Sequence, residues 1–243
     1  MRNDLLIDTE QFDHGIVGKI YCDEDPLNPR KEWDQAATMV CWHRRYDLGD
    51  EQPGGDPADY FRALVNDECP HCGGTGDEPG AEPEGDYNLV PDCAHCDGTG
   101  VVSDEEVMDL VSKTHYILPL FLYDHSGITM STGRFSCPWD SGQVGWIYIS
   151  IEKAAQEGWK TPEQAYKAME SEVEEYDHYL TGQCYGYVVE DDNGEELDSC
   201  WGFLGDTEYV RGEMQAAAMS AVEAANKEVA EAACWAERDV ITT

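Results

Sequence analysis

The sequence predicts an α+β protein: a small antiparallel sheet of hairpins with packed helices, plus one inserted lobe that follows neither periodicity. Three observations carry this expectation. Apolar, β-branched and aromatic runs bounded by turn residues occur in pairs, at residues 116–123 with 128–131 and at 184–190 with 195–203. Between and after these pairs lie stretches that open with complete helix-start signals. Residues 66–102 are instead rich in Cys, Gly, Pro and acids, so the chain divides into an N-terminal part of the body (1–65), the insert (66–102) and a C-terminal part of the body (103–243).

The elements follow in chain order. Residues 15–21 read as a strand, 25–29 as a Pro-broken loop and 38–42 as an apolar strand. Residues 49–59 (GDEQPGGDPAD) form a loop by composition, and a short helix over 57–66 leads into the insert. Beyond it, Ser103 caps a helix to about Lys113, with Glu106 at the reciprocal position of a capping box. Residues 116–123 (YILPLFLY), a turn at His125, Ser126 and Gly127, and residues 128–131 make a hairpin. A strand over 143–149 precedes a short helix that Ser150 caps. Thr161, Pro162 and Gln164 supply a cap, a first-turn proline and a capping-box partner for a helix over 162–180, whose acids Glu170, Glu172, Glu174, Glu175 and Asp177 lie mostly on solvated faces. Asn193-Gly194 turns the second hairpin. The chain ends in an alanine-rich helix from about 209 or 213 to 238, expected to dock a stripe of Met219, Val222, Val229 and Trp235 on the core.

The insert carries the sharpest signal. Cys69-Pro70-His71-Cys72 and Cys93-Ala94-His95-Cys96 are two C-x-x-C knuckles, each able to give two thiolates to one tetrahedral ion. Gly74 and Gly76 follow the first and Gly98 and Gly100 the second, so C-x-x-C-x-G-x-G occurs twice, the glycines allowing tight bends around sulfur. Cys69, Cys72, Cys93 and Cys96 are therefore the expected ligands of one structural zinc ion, with His71 and His95 turned outward; four cysteines fill the shell that a catalytic zinc would leave open. The acidic, proline-containing stretch 77–92 cannot bury enough surface to order itself, so the metal must hold its ends. The pattern resembles the cysteine-rich zinc finger of the DnaJ (Hsp40) co-chaperones over residues 69–100. That family has four such repeats and two zinc sites; this chain has two repeats and no His-Pro-Asp tripeptide, so the resemblance implies a finger and no co-chaperone activity.

Charge excludes several classes of function. With 51 acidic and 15 basic residues the chain carries a formal net charge of −36, so direct binding to nucleic acid and to anionic membranes is not expected. No run is long and apolar enough to cross a bilayer and no signal peptide is evident, which points to a soluble, cytoplasmic protein whose other cysteines (22, 41, 137, 184, 200, 234) are mostly buried free thiols. Two readings of the acidity compete: a solvation adaptation of the kind suited to high-salt cytoplasm, and a surface that imitates the phosphates of DNA and occupies the basic groove of a nucleic-acid enzyme.

Two further clusters bear chemistry. Trp42-His43-Arg44-Arg45 gathers positive charge in a chain poor in it; the arginines either pair with carboxylates of the chain, the favoured reading, or recognise an anion. Asp124-His125 and the segment containing Cys137, Trp139 and Asp140 offer an acid, a base and a nucleophile, yet adjacency in sequence is not how working triads assemble, and an Asx-type turn explains Asp124–Gly127 as well. No phosphate-binding or dinucleotide loop is present in the sequence.

Residues 37–49 (ATMVCWHRRYDLG), 123–132 (YDHSGITMST), 135–150 (FSCPWDSGQVGWIYIS) and 172–187 (EVEEYDHYLTGQCYGY) resemble an uncharacterised family carried by bacterial and archaeal viruses and plasmids. The resemblance implies a mobile-element accessory factor and no particular reaction. The function expected is thus a zinc-stabilised, highly acidic interaction protein that binds a host protein and modulates a host process such as defence. The alternatives are a DNA-mimic inhibitor of a restriction or other nucleic-acid enzyme, and a hydrolase using Asp124, His125, Cys137 or Asp140.

Overall fold

In the computed structural model, which describes residues 5–82 and 89–241 and the side chains up to 233, the chain is an α+β protein with two antiparallel four-stranded sheets. It splits into two compact units: residues 1–33, 125–130 and 174–243, and residues 34–124 and 131–173. The two parts of the body expected on either side of the insert thus each contribute to both units, and the insert lies within the second.

The first unit is built on strands β1 (Leu6–Gln11), β2 (Val17–Cys22), β7 (Cys184–Glu190) and β8 (Glu196–Leu204), in that spatial order. The central pairing joins segments far apart in sequence, with Ile20 opposite Tyr187 and Gly18 opposite Val189. Period-two alternation puts Ile20, Tyr187 and Val189 on one face, where helix α6 (Thr207–Ile241) lays Val210, Met214 and Ala218 against them. Those three helical residues recur every four positions and so share one stripe. Arg211 pairs with Asp8 and the Gln215 amide donates to Glu10 Oε2 at 2.8 Å, tying the same helix to the edge strand. In the β7–β8 turn, Asp191 Oδ1 accepts from the amides of Asn193 (2.9 Å) and Glu195 (2.8 Å).

The second unit contains β3 (Thr38–Cys41), α2 (Pro57–Arg62), α3 (Asp104–Thr114), β4 (His115–Asp124), β6 (Ser141–Ser150) and α4 (Ile151–Gln156). Its strands belong to the sheet ordered β3–β6–β4–β5, β5 being Ile128–Ser131. Helix α5 (Pro162–Leu180) buries Ala165, Met169, Val173 and Tyr176 at spacings of four and three. The core of this unit packs Val40, Phe61, Val102, Val107, Val111 and Tyr148 together, with Trp42, Tyr60 and Trp146 in edge-to-face contact around Phe61 and one another. The capping box of α3 forms as expected, Ser103 Oγ accepting from the Glu106 amide and Glu106 accepting from the Ser103 amide.

Several expectations change in detail. Strand β1 and the one-turn helix α1 (Pro29–Glu32), capped by Asn28, stand where no element was expected. Helix α2 ends at Arg62 and not at 66, because the chain tightens into turns at Ala63–Val65. Helix α6 starts earlier and runs longer, about 52 Å for its 35 residues at 1.5 Å each. Its contacts with the sheet are made by the N-terminal half, so Met219 and Val229, placed in the docking stripe, are exposed; Val222 is partly buried and the Trp235 side chain lies outside the described residues. Of the cysteines outside the knuckles, Cys41 and Cys184 are buried, Cys22 and Cys137 half-buried and Cys200 exposed, all as free thiols, so burial is less general than expected; Cys234 falls outside the described side chains. Among the described residues no helix is long and apolar enough to cross a membrane.

Candidate functional site

The two knuckles are brought together as one pseudo-symmetric unit. The Cys69 amide donates to the Gly100 carbonyl at 2.8 Å and, reciprocally, the Cys93 amide to the Gly76 carbonyl at 2.7 Å. Isolated bridges pair Glu68 with Val101 and Asp77 with Asp92, again related by the same exchange of repeats. Gly76 and Gly100 have φ of +81° and +76°, and each packs on the other repeat: a Cβ at Gly76 would lie 2.4 Å from the Gly98 oxygen, and one at Gly100 2.5 Å from the Gly74 oxygen. Glycine is required at both places for two reasons, the left-handed backbone and the absence of space. Thr75 and Thr99 finish each knuckle by donating their hydroxyls to the carbonyls of Cys72 (3.1 Å) and Cys96 (2.7 Å). The sequence offered a signal for these threonines, since C-x-x-C-x-G-T-G is what repeats.

All four cysteines are buried, and their sulfurs lie within 4.8 Å of one another, forming a group that could hold a single metal ion. A tetrahedral thiolate site with metal–sulfur bonds of about 2.3 Å needs sulfurs about 3.8 Å apart. Cys72 and Cys96 stand at 3.8 Å. Amides of Gly76 and Gly100 point at those two sulfurs, at 3.3 Å each, which favours thiolate over thiol. Burial alone pushes the thiols up; at Cys72 the amides of Gly76 and Gly74 and the sulfurs of Cys69 and Cys96 outweigh it and bring the group to about 6, whereas at Cys93 burial prevails and the thiol stands at about 11. His71 and His95 are partly exposed, their rings 6.3 Å apart, with His71 Nε2 3.4 Å from Glu78 and His95 Nε2 4.0 Å from Glu106. They are not among the grouped ligands.

The stem of the lobe is fixed by one cation. Arg62, at the end of α2, reaches Asp67 at 3.1 Å on the segment entering the first knuckle and Asp104 at 2.6 Å at the start of α3, just after the second. The Val102 amide donates to the Asp67 carbonyl at 2.9 Å beside it. Sequence reading did not single out Arg62, whose only signal was a base just before the insert in a chain poor in bases.

The segment after β3 meets the end of β4. Arg45 pairs with Asp124 Oδ2, and the Tyr46 hydroxyl donates to Asp124 Oδ1 at 3.2 Å. His43 stacks on Tyr46, centroids 5.0 Å apart, and its Nδ1 accepts from the amides of Arg45 (3.3 Å) and Tyr46 (3.2 Å). Asp140 is placed beside them by the Asp124 amide, which donates to its carbonyl at 2.8 Å. The result is a cleft of about 320 Å³ that gathers His43, Arg45, Asp124, Trp139 and Asp140, with Ser141 as an additional lining residue. Trp139 is 91% exposed. Cys137 Sγ lies 3.7 Å from Asp140 Oδ2. His125 lies in the turn after β4, its amide bonded to the Gly127 carbonyl at 3.0 Å, and does not line this cleft. Trp42 and Arg44 line a different cleft, shared with His43. Comparison with profiles of known protein families, with characterised proteins and with solved structures finds no match to this chain.

Proposed function

We propose that the chain is a zinc-stabilised, highly acidic interaction protein, an accessory factor of a virus or other mobile element that binds and modulates a host protein. The observation that carries the reading is the closed set of four buried sulfurs, which accounts for a tetrahedral shell with no position left for water, so the ion stabilises a lobe and does not activate a nucleophile. Zinc is the ion this set suits, being d10, redox-inert and content with four thiolates. The two interlocked knuckles resemble half of the DnaJ cysteine-rich region, and the partner function is supported by the net charge of −36 together with the likeness of residues 37–49, 123–132, 135–150 and 172–187 to virus- and plasmid-borne proteins.

Elemental analysis of reduced, purified protein should give one zinc per chain. Affinity capture from host extract should then retain a partner on the wild-type chain and lose it on Cys93→Ser if the lobe contributes to binding. Elution of that partner by duplex DNA at constant ionic strength would favour the DNA-mimic reading over a protein-specific contact. Zinc absent from reduced protein, or no partner retained in preference to an unrelated protein of equal charge, would overturn the proposal.

A further inference from the structure

Arg44 differs from the arginines and the lysine that tie distant segments together. Lys19, Arg45, Arg62 and Arg211 each hold a carboxylate, whereas Arg44 has no hydrogen bond or ion pair to any described residue. It lines a cleft of about 630 Å³ together with Trp42, His43, Gln52, Pro53 and Pro57. Although 51 of the 243 residues are acidic, none of the residues lining this cleft is. Of the acids around it in sequence, Asp50 accepts from the Met39 amide at 2.7 Å, Glu51 from the Tyr60 hydroxyl at 3.0 Å, and Asp56 caps α2.

Apart from Gln52, the polar side chains lining the cleft carry donors. Trp42 Nε1 is buried without an acceptor, the one such side-chain atom among the described residues. Because His43 Nδ1 accepts two backbone amides, its neutral ring carries the proton on Nε2, which is then a donor as well. An unpaired guanidinium and an imidazole N–H, flanked by two prolines and by Trp42 with its orphaned indole N–H just beneath, call for an acceptor-rich group on an apolar body. We infer that this cleft binds an oxyanion, a phosphate or carboxylate carried on a small apolar group, with Arg44 as its charged contact. At physiological salt the field of the more distant carboxylates is screened beyond about 8 Å, so the local potential is set by Arg44 together with the acids that adjoin the cleft in sequence, Glu51 and Asp56. The inference stands independently of the metal site and of the partner proposed above.

The same chemistry could come from a free organic phosphate or from a phosphorylated side chain of a protein, and the test separates them. The indole N–H resonance of Trp42, assigned through Trp42→Phe, is followed in proton–nitrogen correlation spectra at constant ionic strength. The titrants are inorganic phosphate, phenyl phosphate, and a phosphotyrosine peptide with its unphosphorylated control. A saturable shift is expected, with phenyl phosphate binding more tightly than inorganic phosphate and Arg44→Gln weakening it about tenfold or more. A peptide that saturates below phenyl phosphate assigns a protein source; the reverse order assigns a free ligand. Gly54→Phe, at a lining position where a Cβ meets nothing within 4 Å, should block the cleft without touching its charge. Circular dichroism and zinc content confirm that both variants are folded. An unsaturable shift with every titrant, or equal binding by the folded Arg44→Gln and Gly54→Phe proteins, would overturn the inference.

Discussion

Replacing Gly100 by alanine should cripple metal binding, while a substitution at Gly73, beside the first knuckle, should be nearly harmless. At Gly100 the new Cβ would lie 2.5 Å from the Gly74 carbonyl oxygen and 3.1 Å from its carbon, and the φ of +76° is one that side chains resist. The left-handed backbone costs a residue with a Cβ about 1–2 kcal/mol. The obstructing atoms are backbone of the other knuckle and cannot swing aside, so relief means separating the repeats, a displacement of the kind that costs about 1–3 kcal/mol in packed surroundings. Together these give about 2–5 kcal/mol set against the metal-bound geometry, so zinc affinity should fall by about 30-fold or more. Gly76→Ala should match it, because its Cβ would meet the Gly98 oxygen at 2.4 Å. Gly80, with φ +75° and open space, serves as the control for backbone strain alone. Gly73→Asn should bind zinc nearly as wild type, since Gly73 faces open space and its counterpart Asp97 already holds φ +50°. Competition for zinc against a chromogenic chelator in reduced protein reads all four. Wild-type affinity in Gly100→Ala, or a loss in Gly73→Asn equal to it, would refute the interlock.

Other outcomes follow from the same structure. Asp191 is held below the ordinary carboxylate range mainly by the Glu195 amide, with Asn193 adding to it, so its stabilisation is present above the unfolded value near 3.8 and vanishes as pH falls through the lower folded value. The difference in urea midpoint between wild type and Asp191→Ala should therefore be full at neutral pH and close below about pH 4. Met214→Ala empties a buried position against Ile20 and Val189 and should cost about 2–4 kcal/mol, read from denaturant unfolding. Circular dichroism across potassium chloride should show structure loosening as salt is withdrawn if the acidity is a solvation adaptation; an unchanged spectrum in dilute buffer removes that reading.

What could be read beforehand was local. The knuckles announced themselves because each ligand pair is closed within four residues, and the capped helices because Ser103, Thr161 and Pro162 act on their own first turns. Strand β1 escaped because LIDTEQ lacks alternation, being an edge strand whose side chains are largely exposed. The division into two sheets was invisible for another reason: β2 pairs with β7 and β3 with β6 across more than a hundred residues, and nothing in either segment names its mate. The same non-local pairing assembles the clefts. Trp42 is bonded through its amide to the Val144 carbonyl at 2.7 Å, and only that register brings the arginine segment beside the strand that follows Trp139 and Asp140.

Those long-range seams also show how so acidic a chain closes on itself. Four of the cations sit where distant segments meet: Lys19 with Glu190 at 2.5 Å, Arg211 with Asp8, Arg45 with Asp124, and Arg62 bridging both ends of the metal lobe. Each of these bases therefore neutralises a partner already at a junction, while acids outnumber bases 51 to 15 over the chain. The two readings of that surplus then predict salt effects of opposite sign. A high-salt adaptation makes the fold itself stronger as salt rises, because screening relieves repulsion among unpaired acids. A surface evolved to hold a cationic groove makes binding weaker as salt rises, because the same screening removes the attraction. Fold stability over a salt series therefore tests the first reading, and affinity for the captured partner over the same series tests the second.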